Sequence, residues 1–122
     1  MRISDAESRV MDVLWQSSPR TAEEVIAELA EPNGWAEATI KTLLNRLLNK
    51  GAIKAERDGR RYRYLPILRR EDWVRSESEG LLDRLFGGQV APLVAQFSQQ
   101  RKLSASDIAE LRKLIEDLDD EH

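Results

Sequence analysis

The sequence predicts a mainly α-helical protein with one small β-hairpin and two domains. Three observations support this. Apolar residues recur at helical spacing over most of the 122 residues, the period becomes alternating between residues 52 and 65, and it becomes helical again afterwards. We therefore place an N-terminal domain at residues 1–67 and a C-terminal helical domain at residues 68–122.

The first two helices are predicted from their start signals. Ser4 followed by Glu7, and Thr21 followed by Glu24, each have the spacing of a capping box, in which side chains and main-chain amides satisfy one another at a helix N-terminus. A Ser-Ser-Pro run is expected to end the first helix, and the run Glu31–Gly34 is expected to break the second.

A third helix is predicted from about Ala36 to Lys50, with Gly51 as its C-terminal cap. Two short runs follow, residues 52–57 and 61–65. Asp58-Gly59 between them is a strong signal for a two-stranded hairpin.

Strand alternation then predicts which side chains of the hairpin share a face. Ile53, Ala55, Tyr62 and Tyr64 are expected to face the helices, and Arg61 and Arg63 to face outward. Three helices followed by such a hairpin form the order of a winged helix-turn-helix, in which the hairpin is the wing.

The C-terminal domain is predicted to contain three amphipathic helices, the last beginning at Ser104 with Asp107 three residues later. About 50 residues provide too few core positions to bury these apolar faces alone, so a second copy of the chain is the expected partner. The residues predicted to mediate dimerisation are Trp73, Leu81, Leu85, Leu93, Phe97, Ile108, Leu111, Ile115 and Leu118.

Charge is segregated along the chain although the net charge is only -3. Residues 35–66 carry eight Lys or Arg against three Asp or Glu, whereas both flanking segments are acidic. A basic stripe of this kind is typical of a surface that contacts a nucleic acid.

Composition disfavours an enzyme and a metal site. The chain has no cysteine, and its one histidine is His122 at the terminus, so no cofactor or metal is expected. No apolar run approaches the length of a membrane helix and no apolar leader opens the chain, so we expect a cytoplasmic protein without direct membrane binding.

The candidate DNA-binding residues lie on the third helix and the hairpin. The helix face opposite the leucines carries residues suited to base edges and phosphates, and the hairpin adds cations. These candidates are Thr39, Lys41, Thr42, Asn45, Arg46, Lys50, Lys54, Arg60, Arg61 and Arg63. The alternative interpretations are an ordinary solvated face for the third helix and, for the hairpin, an edge strand protected by cations. Trp15, Trp35 and Trp73 are interpreted as core residues.

Several segments together resemble the penicillinase repressor (BlaI/MecI) family of winged-helix transcriptional regulators. They are Ser4–Glu7, Val10–Trp15, Gly34-Trp35, Thr39–Leu47, Lys50-Gly51, Gly59–Tyr64 and Leu103–Leu118. The resemblance implies a homodimeric repressor on a pseudo-palindromic double-stranded DNA operator that controls β-lactamase, antibiotic-resistance or related genes.

The same resemblance implies relief of repression by proteolysis, with a membrane metalloprotease sensor as partner. The bond that corresponds to the family's Asn-Phe cleavage site is Gln96-Phe97. The family often opens its third helix with Ser-Pro-Lys, whereas this chain has Ala36-Glu37-Ala38, which removes a cap and predicts a different operator sequence.

Two other functions remain open from the sequence. A winged helix can serve as a protein-interaction module, although its exposed residues would then be apolar rather than basic. A small-molecule-sensing regulator would need an apolar pocket with converging polar groups in the C-terminal helices.

Overall fold

The computed structural model describes residues 1–120. Glu121 and His122, which the sequence places at an acidic chain end, lie outside the described residues. The chain divides into two compact units, Met1–Val74 and the residues from Arg75 onward, and the division falls within a helix. The boundary after residue 67, which separates the predicted DNA-binding and dimerisation domains, stays a prediction.

The first unit contains three helices and a three-stranded sheet. Its elements are α1 (Asp5–Gln16), β1 (Arg20–Thr21), α2 (Ala22–Asn33), α3 (Glu37–Lys50), β2 (Ile53–Asp58) and β3 (Arg61–Pro66), and α4 (Arg70–Phe86) begins in it. The order helix, helix, helix, hairpin is the one predicted.

Both predicted capping boxes are confirmed. Ser4 caps α1 and exchanges hydrogen bonds with Glu7, and Thr21 does the same with Glu24 at the start of α2. The main-chain amide and the hydroxyl of Thr21 both donate to the Glu24 carboxylate, and by stabilising its charged form they hold the pKa of Glu24 below its ordinary value.

The predicted break within the run Glu31–Gly34 is confirmed, although α2 continues through Pro32 and ends at Asn33. Pro32 lies in the last turn, where its missing amide costs a single helical bond. The Asn33 side chain donates to the Leu29 carbonyl at 2.8 Å, and the left-handed Gly34 then closes the helix. These local contacts complete the last turn of α2.

The sheet has the order β1-β3-β2 and is antiparallel throughout. The sequence analysis missed β1, in which Arg20 pairs with Tyr64 and Thr21 with Arg63. Thr21 therefore serves as both strand residue and helix cap, so the base of the hairpin is fixed to the start of α2.

The faces of the hairpin are only partly as predicted. Ile53 is buried and Tyr64 half-buried, but Ala55 and Tyr62 are exposed, with Tyr62 at 51%. The helices cover the base of the hairpin alone, and its outer half extends into solvent on both faces. The turn also differs, since Asp58 pairs with Arg61 and leaves Gly59 and Arg60 as the connecting residues.

The core of the first unit lies between α1, α2, α3 and the base of the sheet. Its buried apolar residues include Met11, Leu14, Ile40 and Leu44. The three tryptophans pack against this core, as predicted. Trp15 donates its indole N–H to the Leu68 carbonyl at 2.9 Å.

The second unit consists of the rest of α4 with α5 (Val90–Gln99) and α6 (Ala105–Asp120). Ser104 and Asp107 exchange two hydrogen bonds of 3.0 Å at the start of α6, which confirms the predicted cap. Over the described residues, no helix is long and apolar enough to cross a membrane and no cluster of potential metal ligands is found.

Candidate nucleic-acid interface

The outer face of α3 is the first part of the candidate interface. Ile40, Leu43, Leu44 and Leu47 anchor the helix in the core. The opposite face is exposed, and it presents five of the six predicted DNA-binding residues of this helix, Thr39, Lys41, Thr42, Asn45 and Arg46. The rigid apolar anchor thus holds polar and cationic groups outward in one row, as a helix that enters a DNA groove requires.

The N-terminus of α3 has no side-chain cap. Ala36 occupies the cap position and makes no side-chain hydrogen bond, in agreement with the loss inferred from Ala36-Glu37-Ala38. Within the row of exposed residues, the Thr42 hydroxyl donates to the Ala38 carbonyl at 2.9 Å. The methyl group and the oxygen lone pairs of Thr42 are left to face outward.

The wing, formed by β2 and β3, is the second part of the candidate interface. Arg60, Arg61 and Arg63 are all exposed, as predicted. Arg60 sits at the tip beside Gly59, whose φ of +65° is a conformation that favours glycine. The tip therefore presents an arginine on a tight turn.

Two other exposed residues of the wing were not among the predicted ones. Arg57 is exposed and donates from its Nε to the Gly59 carbonyl at 3.1 Å, and the exposed Tyr62 lies opposite it in the sheet. Strand alternation had correctly placed Tyr62 on the face of Tyr64, but it could not show how far the hairpin extends beyond the helices. Burial raises the pKa of the Tyr64 hydroxyl at the covered base, with Glu23 adding to the effect.

Lys50 forms an ion pair within the first unit. Its Nζ lies 2.6 Å from Glu7 Oε1 and donates to the Arg2 carbonyl at 2.9 Å. Glu7 is only 2% exposed. The pair links the C-terminal end of α3 to α1 and to the N-terminal segment, so the predicted phosphate contact of Lys50 competes with an internal ion pair.

Burial raises the pKa of the Glu7 carboxyl, but the opposing contacts are stronger. Hydrogen bonds from Lys50 and from the amide and hydroxyl of Ser4, with the Lys50 charge, bring the pKa below its ordinary value. Glu7 is therefore a carboxylate at neutral pH, and Lys50 is its counter-charge.

The apolar side chains of the second unit are half-buried or exposed. No residue of α4, α5 or α6 is buried. Leu85 is 66% exposed and Ile115 is 58% exposed. A groove of about 360 Å³ is lined by Val90, Ala91, Val94, Leu111 and Ile115. Every side chain that lines it is apolar.

Trp73 differs from the other eight residues predicted to mediate dimerisation. Its ring centroid lies 5.5 Å from that of Trp15, and it packs against the core of the first unit. This contact within one chain accounts for its partial burial. The other eight residues belong to the second unit.

The predicted cleavage bond, Gln96-Phe97, lies inside α5. The Gln96 and Phe97 carbonyls accept hydrogen bonds from Gln100 and Lys102, at 3.3 and 2.9 Å. Proteases bind extended chains, so the last turn of α5 would have to open locally before this bond could be cut.

The penicillinase repressor family model matches residues 3–117. The chain belongs to this family. It is 36% identical over 116 residues to the penicillinase repressor of Bacillus licheniformis, covering 95% of this chain and 91% of that protein.

Two further comparisons agree. The methicillin resistance regulatory protein MecI of Mammaliicoccus sciuri is 30% identical over 113 residues, which cover 93% of this chain and 92% of the relative. The solution structure of monomeric Bacillus licheniformis BlaI in complex with the blaP half-operator superimposes with a TM-score of 0.53. It is 42% identical and covers 59% of this chain and 88% of that one.

Proposed function

We propose that the protein is a transcriptional repressor that binds operator DNA as a homodimer. The observation that carries the proposal is the exposure of polar and cationic side chains on both the outer face of α3 and the wing. The chain belongs to a family in which the structure of a related repressor has been solved in complex with a half-operator. In this account α3 enters the major groove, where Arg46 suits guanine and Asn45 suits adenine.

The homodimer is supported by exposed apolar side chains on α4, α5 and α6. A single copy leaves Leu85, Ile115 and Leu118 more than half exposed, and such apolar surface is usually covered by a partner. A ligand pocket would combine apolar walls with a few converging polar groups. The groove beside Ile115 has only apolar walls, which favours a second copy over a small-molecule effector.

In this mechanism, dimerisation sets the distance between two α3 helices and hence between two half-sites of a pseudo-palindrome. The dimer blocks transcription of resistance or related genes in the cytoplasm. Cleavage at Gln96-Phe97 by a membrane metalloprotease sensor would weaken the dimer and release DNA while leaving the first unit intact. The polar and cationic side chains on α3 and the wing also fit a role in DNA binding rather than in catalysis.

The proposal is tested by titrating salt against binding to the DNA upstream of the protein's own gene, with a scrambled duplex as control and stoichiometry measured in the same experiment. The expected result is preference for the native duplex at two chains per site, with an affinity that falls steeply as salt rises. Equal weak binding to both duplexes would contradict the proposal and favour a protein-interaction module. A change in affinity on adding small molecules would favour a ligand sensor.

A further inference from the structure

One face of the wing carries charged residues of both signs. Residues that lie opposite each other in an antiparallel pair share a face, and so do alternate residues along one strand. Glu56 is paired with Arg63 and Asp58 with Arg61, and Lys54 lies on the same face. Two carboxylates thus stand among three cations on a surface proposed to contact DNA.

The carboxylates form ion pairs with two of these cations. Arg63 Nε lies 3.0 Å from Asp58 Oδ2, with the side chains 45% and 53% exposed. Lys54 Nζ lies 3.3 Å from Glu56 Oε1, with both side chains more than half exposed. Pairs as open to water as these add little to folding stability, commonly below about 1 kcal/mol. The strand pairing, rather than these ions, holds the hairpin.

The remaining cations of the wing are unpaired. Among the described residues, no ion pair involves Arg60 or Arg61. The wing therefore offers two kinds of cation, those free to contact a phosphate and those already neutralised by a neighbouring carboxylate. A phosphate that approaches Arg63 must compete with Asp58, and it meets the repulsion of that carboxylate as well.

We propose that Asp58 limits the DNA affinity of the wing by competing with DNA phosphates for Arg63. This inference depends on the proposed DNA-binding function. Because phosphates carry no sequence information, the limit applies to operator and non-operator DNA alike. It lowers retention of the protein on the large excess of non-operator sites in a genome.

The test compares the full-length wild-type protein with Asp58→Asn on an upstream duplex and a scrambled duplex across a salt series. Release of Arg63 adds one phosphate contact, which steepens the slope of log affinity against log salt by about 0.9 and raises affinity about fivefold at 0.15 M salt. The gain should be the same on both duplexes. Asp58→Ser is a second variant, and circular dichroism confirms the fold of each.

Two controls isolate the mechanism. Glu116→Gln makes the same change of charge on α6 and should leave affinity within twofold of the wild type. In an Arg63→Gln background, Asp58→Asn should lose most of its effect. An unchanged affinity for folded Asp58→Asn and Asp58→Ser, or an equal gain with and without Arg63, would overturn the inference. Failure of the wild type to bind either duplex would instead refute the proposed function.

Discussion

The ion pair between Lys50 and Glu7 gives the sharpest prediction about the first unit. Lys50→Met keeps the length of the side chain and removes its charge. Glu7 would then remain 2% exposed with Ser4 as its principal donor, and the Arg2 carbonyl would lose the donor at 2.9 Å. Removing one partner of such a pair leaves an uncompensated buried charge.

The magnitude follows from the geometry. At 2.6 Å and an effective dielectric constant of about 20, the Coulomb attraction is about 6 kcal/mol before desolvation is subtracted. Breaking a fully buried pair typically costs about 3–5 kcal/mol. The Lys50 side chain is 37% exposed, so solvent screens part of the interaction and we expect a loss of about 2–3 kcal/mol.

The assay is urea unfolding at a fixed protein concentration, because dimerisation couples stability to concentration. The expected loss lowers the unfolding midpoint by roughly 1 M urea or more. Lys54→Met is the matched control, since its ion pair with Glu56 is exposed and should contribute less than about 1 kcal/mol. Equal destabilisation by the two variants would refute the argument for Lys50.

The same variant decides between the two roles of Lys50. If Lys50 is occupied by Glu7, folded Lys50→Met keeps the salt dependence of DNA binding shown by the wild type. A phosphate contact would instead flatten the slope of log affinity against log salt by about 0.9. That flattening, without a loss of stability, would mean that Lys50 leaves the ion pair to contact DNA.

Three further predictions concern the helix face, the dimer and acid stability. Arg46→Ala should weaken operator binding by about 1–3 kcal/mol in a duplex competition assay, and an unchanged preference for operator over scrambled DNA would exclude a base contact. Ile115→Asp places a charge in the apolar groove and should shift the protein to monomer in sedimentation equilibrium, whereas Lys113→Asp, beside it on the same helix but outside that groove, should leave the dimer intact. The folded-state pKa values of Glu7 and Glu24 lie below their ordinary 4.5, so the stability they contribute is complete above pH 4.5 and is lost as pH falls through the folded values. Urea unfolding of Glu7→Gln should therefore show a shallower loss of stability with acid than the wild type, and an identical profile would contradict this.

Local rules predicted the helices of this fold well. The boxes at Ser4 and Thr21, and the glycine after α3 with φ of +78°, depend on residues within a few positions of each other. The helix-to-strand change after Gly51 is equally local. Such features are visible in a sequence because no distant residue decides them.

The errors arose where distant contacts or small compensations decide the structure. Strand β1 has two residues and exists because the wing returns to pair with it, which no periodicity shows. Pro32 stays helical because it lies in the last turn of α2, where its missing amide removes a single helical hydrogen bond. The sequence places Lys50 among the other cations of the basic stripe. In the fold, its Nζ lies 2.6 Å from Oε1 of Glu7, a residue distant in sequence.

The candidate interface was predictable as a set of exposed cations, but its internal pairing was not. Alternation placed Arg61 and Arg63 outward, yet it could not show that Asp58 lies 3.0 Å from Arg63. Diagonal contacts across a hairpin depend on its register and on side-chain direction. The sequence therefore predicts which residues line a surface better than it predicts which of their charges form ion pairs with one another.

Hydrogen–deuterium exchange of the full-length protein, alone and with its upstream duplex, shows which segments contact DNA. We expect operator DNA to slow amide exchange in α3 and in the strands β2 and β3, and a scrambled duplex at equal concentration to do so much less. Protection confined to α5 and α6, or equal protection by both duplexes, would contradict the claim that the outer face of α3 and the wing form the sequence-specific DNA-binding surface.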